Sequence, residues 1–392
     1  MHAAGPQSPG QLLITGAYRS GTTLLEKLLH NHPDLSVAMQ PFPVLFFHAK
    51  ERFLSDRGLE YRYALDHLFL EDRYAPTDLA AFLTGYEMTA AELDALFERL
   101  ADYGAYTPGA EDLRDQVAPG GFFDVYYQWD RAVARMLGRA DAAWVGNKEI
   151  FCEEFIPAFL ERGIKVVHII RDPRDVIASL HFRSRDNQTG DPRPLLFNLR
   201  VWRKSAAFAL ASSGHPAYRH LRYEDLLGET EERLSELTAW LGVPDYLPDA
   251  FANGILDQDG SIWRGNSSFS DRSGISRASR GNYRSLVPAD TVDYIETLCG
   301  PEMISLGYPL EGSGSLSPAA LARFEEPSVR VHPLFDPGYS TDPDRLQAES
   351  ARLSHLAPNA PTLGEDEARK WFIAAGAYGA LRGIRPPAGA TR

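Results

Sequence analysis

Gly16-Ala17-Tyr18-Arg19-Ser20-Gly21-Thr22-Thr23 has the composition of an anion-binding loop. Two glycines separated by four residues permit a tight turn in which backbone N–H groups and a helix N-terminus converge on a phosphate or sulfate. The flanks suit this. Leu12-Leu13-Ile14-Thr15 reads as a short strand, and Leu24, Leu25, Leu28 and Leu29 recur at helical spacing over Thr22 to Asn31. A nucleoside-triphosphate loop carries Lys after its second glycine and then a Ser or Thr for magnesium. Here Thr22 holds the lysine position, and the cation, Arg19, lies inside the loop. The loop calls for an anion without a metal. A kinase or NTPase would also need an acidic magnesium ligand after a hydrophobic strand, where Arg171 follows Ile170 instead.

A second constellation is Val166-Val167-His168-Ile169-Ile170-Arg171-Asp172-Pro173-Arg174-Asp175-Val176-Ile177-Ala178-Ser179. Its β-branched run over Lys165 to Ile170 reads as a strand buried on both sides, and Pro173 suits the first turn of a helix reaching Phe182. The planar guanidinium of Arg171 and the hydroxyl of Ser179 fit a phosphate. Asp172, Arg174 and Asp175 read as surface ion pairs at that helix start. Val145-Gly146-Asn147-Lys148-Glu149 places Lys148 at another strand end. Leu221-Arg222-Tyr223-Glu224-Asp225-Leu226-Leu227 precedes Trp240-Leu241-Gly242-Val243-Pro244.

Together these motifs resemble the sulfotransferases that use 3′-phosphoadenosine 5′-phosphosulfate (PAPS), in particular the bacterial and protein-tyrosine branches, in which an element like His32-Pro33-Asp34 is common. The resemblance runs over residues 11–308. It implies that Arg19, Ser20, Gly21, Thr22 and Thr23 hold the 5′-phosphosulfate and that Arg171 and Ser179 grip the 3′-phosphate. It puts Tyr223 against the adenine, the alternative being a core tyrosine. Lys148 would contact the transferring sulfonate and its bridging oxygen, where a cation stabilises charge on the leaving phosphate. Arg277 and Arg280-Gly281-Asn282-Tyr283-Arg284 resemble the segment that closes over the 3′-phosphate.

The resemblance fails at the base that deprotonates the acceptor. Gln40 and Ile150 stand where a glutamate or a histidine is expected, and neither accepts a proton. His48, on the helix expected after the loop, ranks first as a replacement, ahead of Glu149 and His181. Pro41-Phe42-Pro43-Val44-Leu45-Phe46-Phe47 reads equally as an apolar acceptor pocket or as core packing. The expected reaction is transfer of a sulfonate to a hydroxyl, less readily an amine, of a small or partly apolar acceptor. A non-catalytic relative that binds PAPS, its product or a protein partner is the rival from another class.

These motifs need a particular frame. Strands alternating with helices imply an α/β fold with a P-loop-type parallel sheet flanked by helices. Residues 42 to 140, with apolar spacing over Glu92 to Leu100 and Trp129 to Leu137, read as a mostly helical insertion. A sulfotransferase domain is expected over 11–308. His220 to Tyr223 reads as a further strand, Glu229 to Leu241 as a helix, and Asp290 to Leu298 as the domain's last helix. Residues 309–392 read as a linker and a C-terminal extension of unknown role, with a helix from Glu365 to Leu381.

The 392 residues, 44% hydrophobic, suffice for a large core. A net charge of -13 disfavours nucleic acid as a partner. Two cysteines, Cys152 and Cys299, are too few for a disulfide framework or a cysteine zinc site and read as core residues in a reducing, cytoplasmic setting. No apolar stretch is long enough to span a bilayer.

Overall fold

The computed structural model describes residues 8–60, 76–104, 106–182, 192–265, 275–312, 315–327, 331–336 and 338–382. The chain opens with β1 (Gly10–Thr15), α1 (Thr22–His30), β2 (Leu35–Met39) and α2 (Pro43–Ser55). A mainly helical region follows, with α3 (Pro76–Gly85), β3 (Glu87–Met88), α4 (Ala90–Tyr103), β4 (Gly120–Gly121) and α5 (Phe122–Met136). Alternation resumes in β5 (Trp144–Lys148), α6 (Ile156–Glu161), β6 (Lys165–Ile170), α7 (Pro173–Ile177), α8 (Leu195–Ser212), β7 (Tyr218–Arg222), α9 (Tyr223–Gly228) and α10 (Thr230–Leu241). Helices α11 (Tyr283–Leu286), α12 (Ala289–Ser305), α13 (Pro318–Leu321), α14 (Pro343–Ser354), α15 (Glu365–Phe372) and α16 (Ala375–Arg382) follow.

The five longer strands pair in parallel in the order β2-β5-β1-β6-β7, while β3 and β4 form a short antiparallel pair. Both faces of the parallel sheet are covered, so its strands are apolar on both sides. In β1, Leu13 points to the core shared with α2, α4 and α5, whereas Leu12 and Ile14 point to the core shared with α1, α9 and α10. His168 is a fully buried polar residue in β6. Its Nδ1 meets the Tyr218 hydroxyl at 2.8 Å and its Nε2 the Ser205 hydroxyl at 2.7 Å. Burial pulls its pKa down to about 3, which holds the ring neutral.

The expected α/β fold is present, with differences of detail. The edge strand β2 and the long helix α8 were not anticipated. The helix expected from Pro173 to Phe182 is α7 followed by a π-helical turn over Ala178–Phe182. The C-terminal helix divides into α15 and α16 at Ile373, whose φ is +69°. Asp172, Arg174 and Asp175 are buried rather than on the surface. Asp172 caps α7 through the Arg174 N–H at 2.9 Å, and Arg174 donates to Glu296 at 2.5 Å. Phe42, Val44, Leu45 and Phe46 belong to the packed core, with Phe42 stacked on Trp129 at 4.6 Å, so the aromatic segment is core rather than an open pocket. Leu321, Phe335, Tyr339 and Leu346 share a core with α8 and α12. Among the described residues no helix is long and apolar enough to cross a membrane.

Candidate active site

The central strand β1 delivers the Gly16–Thr23 loop to the carboxyl edge of the sheet, where α/β folds place their ligand crevices. Both glycines are required by close approaches. A Cβ on Gly16 would lie 2.3 Å from the Ile169 carbonyl, and one on Gly21, at φ +97°, would lie 2.3 Å from the Tyr223 ring. Arg19 holds a left-handed φ of +66°, a strained state for a non-glycine residue that costs roughly 1–3 kcal/mol. The loop is tied down from α8, because the Ala17 N–H donates to the Ser205 hydroxyl at 3.1 Å and the Tyr18 hydroxyl donates to Asn198.

The two anion motifs meet here. Arg19 Nε donates to the Ser179 hydroxyl at 3.0 Å, and Arg171 Nη1 donates to the Arg19 carbonyl at 3.0 Å. The Arg171 guanidinium lies 4.6 Å from the centre of the Tyr223 ring. Arg19, Gly21, Arg171, Ser179 and Tyr223 therefore form one cluster, with Ser20, Thr22 and Thr23 on the same loop. The Ser20 hydroxyl and Arg171 Nε are buried without a hydrogen-bond partner among the described residues. The segment around Ser279 covers the cluster: its carbonyl accepts from Arg171 Nη2 at 2.7 Å, its hydroxyl meets that of Tyr223 at 2.9 Å, and Asp175 accepts from the Gly281 and Tyr283 N–H groups.

Lys148 closes β5 level with Ile14 of β1. Its Nζ is buried and donates to Gln40 Oε1 at 2.9 Å, and burial lowers its pKa. Burial raises the pKa of the adjacent Glu149, against the pull of Lys148. Gln40 itself has a left-handed φ of +42°.

His48 is half-buried on α2 and faces elsewhere. Its ring meets Tyr86 edge-on at 6.3 Å, and its charged neighbours are Glu51, Glu92, Arg99 and Arg52, none of them in the anion motifs. His181 Nε2 bonds the Asn198 carboxamide at 2.8 Å, which links it through Asn198 to Tyr18.

Sequence reasoning missed Asn198, Trp202 and Ser205. Trp202 Nε1 donates to the Arg171 carbonyl at 2.8 Å. The three lie four and three residues apart, which aligns them on one helical face, and that spacing was the available signal.

A glycine-flanked loop on a parallel sheet, bonded to an arginine–serine segment after the neighbouring strand, is an arrangement of the α/β class suited to an anion. The comparisons narrow this. The sequence pattern of the sulfotransferase family matches residues 11–248, more than half of the chain, and the protein belongs to that family. No curated protein matches the sequence significantly. The solved structures that the chain matches include the following three. The sulfotransferase domain from the curacin biosynthetic pathway is 18% identical, with a TM-score of 0.41 over 77% of this chain and 99% of that one. The sulfotransferase domain of the Synechococcus PCC 7002 olefin synthase is 20% identical, with a TM-score of 0.39 over 73% and 91%. Retinol dehydratase in complex with androsterone and the inactive cofactor PAP is 14% identical, with a TM-score of 0.35 over 79% and 84%.

Proposed function

We propose that this sulfotransferase takes its sulfonate from PAPS and transfers it to a hydroxyl group of a small, partly apolar acceptor. The observation that carries the reading is the Arg19–Ser179 hydrogen bond, which joins the two motifs that resemble the family's donor loops. The chemistry of the cluster fits a doubly anionic nucleotide. Among the described residues the buried Ser20 hydroxyl and Arg171 Nε are donors without acceptors, a costly state that an anion relieves. In this reading Arg19 and the amides of Ser20 to Thr23 take the phosphosulfate, and Arg171 with Ser179 takes the 3′-phosphate in place of the Ser279 carbonyl. Tyr223 flanks the base, and Lys148 neutralises the leaving phosphate oxygen.

The test is incubation of the full chain with radiolabelled PAPS and a panel of phenols, lipid alcohols, sugars and tyrosine peptides, alongside calorimetry with the product nucleotide 3′-phosphoadenosine 5′-phosphate (PAP). Labelled acceptor and saturable PAP binding are expected. Absence of PAP binding would overturn the donor assignment. PAP binding without transfer to any acceptor or to water would leave a nucleotide-binding relative.

A further inference from the structure

The donor reading leaves the acceptor's proton without a destination, because Gln40 and Ile150 replace the expected bases. Glu149 stands next to Lys148 at the carboxyl end of the sheet, and its own N–H is held by the Ile14 carbonyl at 2.9 Å. It follows the last residue of β5, near Asn147, whose carboxamide donates to Tyr126 and Asp130 at 2.8 Å each. Gln40 joins Lys148 and Glu149 at this edge. Its Oε1 accepts from Lys148 Nζ at 2.9 Å, while its side chain and the Phe42 N–H stabilise the charged Glu149 carboxylate. Glu149 is 1% exposed, yet its Oε1 has no hydrogen-bond partner among the described residues. A buried carboxylate oxygen without a donor is costly.

We infer that Glu149 is the group that takes the acceptor's proton, and that Gln40 is a positioning residue that holds it beside Lys148. The inference rests on the sulfotransferase reading of Lys148. In the step, the acceptor O–H gives its proton to Glu149 Oε1 as the acceptor oxygen's electron pair forms the new S–O bond. The S–O bond to the 5′-phosphate breaks, and its electron pair stays on the phosphate oxygen beside Lys148. The products are the sulfate ester and PAP, with the proton on Glu149. Burial and the neighbouring Asp130 raise the proton affinity of Glu149, Lys148 opposes this, and Tyr126 and Cys152 are the other titratable groups near it. A carboxylate whose affinity lies closer to the working pH is a better base than an ordinary one.

A general base and a structural residue differ in how much they matter to acceptors of different acidity. Glu149→Gln in the full chain is assayed with PAPS against 4-nitrophenol, which ionises near neutral pH, against phenol, and against water, read as PAP release. PAP affinity is measured by calorimetry. Expected are PAP affinity within about threefold of the native protein, a loss of roughly 10²- to 10⁴-fold towards phenol and water, and a loss below about tenfold towards 4-nitrophenol. A loss of equal size on all three, or none, overturns the inference. The double variant Gln40→Glu/Glu149→Gln, which puts a carboxylate back within one side chain, is expected to regain at least about tenfold over the single variant. A folded double variant that regains nothing also overturns it. If the native protein neither binds PAP nor releases it from PAPS, the donor reading fails first. If the native protein is active and Glu149→Gln is unchanged, only the role of Glu149 fails.

Discussion

Glu349→Gln asks whether the chain beyond residue 308 is needed to hold the donor cluster in place. Glu349 is buried on α14 and is bonded by Arg200 Nε at 2.8 Å, by Arg203 Nη1, and by Arg352 Nε at 3.2 Å. Glu302 is the second carboxylate of the network, 2.8 Å from Arg352 and 3.6 Å from Arg203. The substitution takes a negative charge from among three guanidiniums. Removing one partner of a buried ion pair costs about 3–5 kcal/mol. Burial opposes ionisation of Glu349, but the three arginines outweigh it and hold the carboxyl far below its ordinary range. The folded pKa is depressed, so the stabilisation is present above the unfolded value of about 4.3 and is lost as pH falls through the window below it. Urea unfolding followed by circular dichroism is expected to show a loss of about 3–5 kcal/mol for Glu349→Gln at pH 7, shrinking below about pH 4. Arg345→Ala, which removes an exposed pair with Asp336 at 3.1 Å, is expected to cost less than about 1 kcal/mol. Arg200 and Arg203 lie on α8, so PAP binding is expected to weaken in Glu349→Gln. A Glu349→Gln protein within about 1 kcal/mol of the native one at pH 7 would refute the reasoning.

Lys148→Ala is expected to lower turnover by roughly 10²- to 10³-fold with little change in PAP affinity, because charge on the bridging oxygen develops only as sulfonate leaves. A raised KM for PAPS with unchanged kcat would remove that role from Lys148. Arg171→Ala is expected to weaken PAP binding by roughly 10- to 150-fold, the value of a charged hydrogen bond of about 1.5–3 kcal/mol; unchanged affinity in calorimetry would contradict the 3′-phosphate assignment. His168 has a folded pKa of about 3 against about 6.5 unfolded, so between these values the unfolded chain binds a proton that the folded one does not. Acidification below about pH 6.5 therefore destabilises the fold through this group, by up to about 1.4 kcal/mol per pH unit. His168→Gln is expected to flatten the fall in urea midpoint between pH 6.5 and 4.5, and equal slopes would count against the burial argument.

The sequence disclosed what chemistry and two-sided burial write into short segments. β1 and β6 were legible because a strand covered on both faces must be a continuous apolar run, and the Gly16–Thr23 loop because only glycines tolerate the approach of Ile169 and Tyr223. β2 was not, since Leu35–Met39 is only five residues long and carries Ser36 at its second position. Helix α8 was hidden for the opposite reason. It is buried almost all round, including Asn198, Arg203, Lys204 and Ser205, so no polar face marks its period. Lys204 is buried only because Glu153 and Glu154 lie 3.1 and 2.8 Å away, and such pairings exist in space rather than in spacing. The link between Glu149 and Lys148 is hidden for a related reason, because the Gln40 carboxamide that serves both comes from a distant part of the chain.

Helix α8 also explains why motif spacing could not complete the site. One face of the helix holds the cluster of Arg19 and Arg171: Asn198 takes the Tyr18 hydroxyl, Trp202 the Arg171 carbonyl, and Ser205 the Ala17 N–H while it also bonds His168. Other positions on the helix are held by the C-terminal segments. Glu326 accepts the Leu195 N–H at 3.1 Å, Ser340 the Leu196 N–H at 3.2 Å, Phe335 packs on Phe197, and Glu349 binds Arg200 and Arg203. The strained backbone of Arg19 persists only where surrounding contacts over-determine it. Those contacts run from the loop through α8 into residues 326–349, beyond the 11–248 span that matches the family. The Gly16–Thr23 loop and the Arg171–Ser179 segment carry the recognisable residue types, and they are held by a helix and an extension that carry no motif of their own.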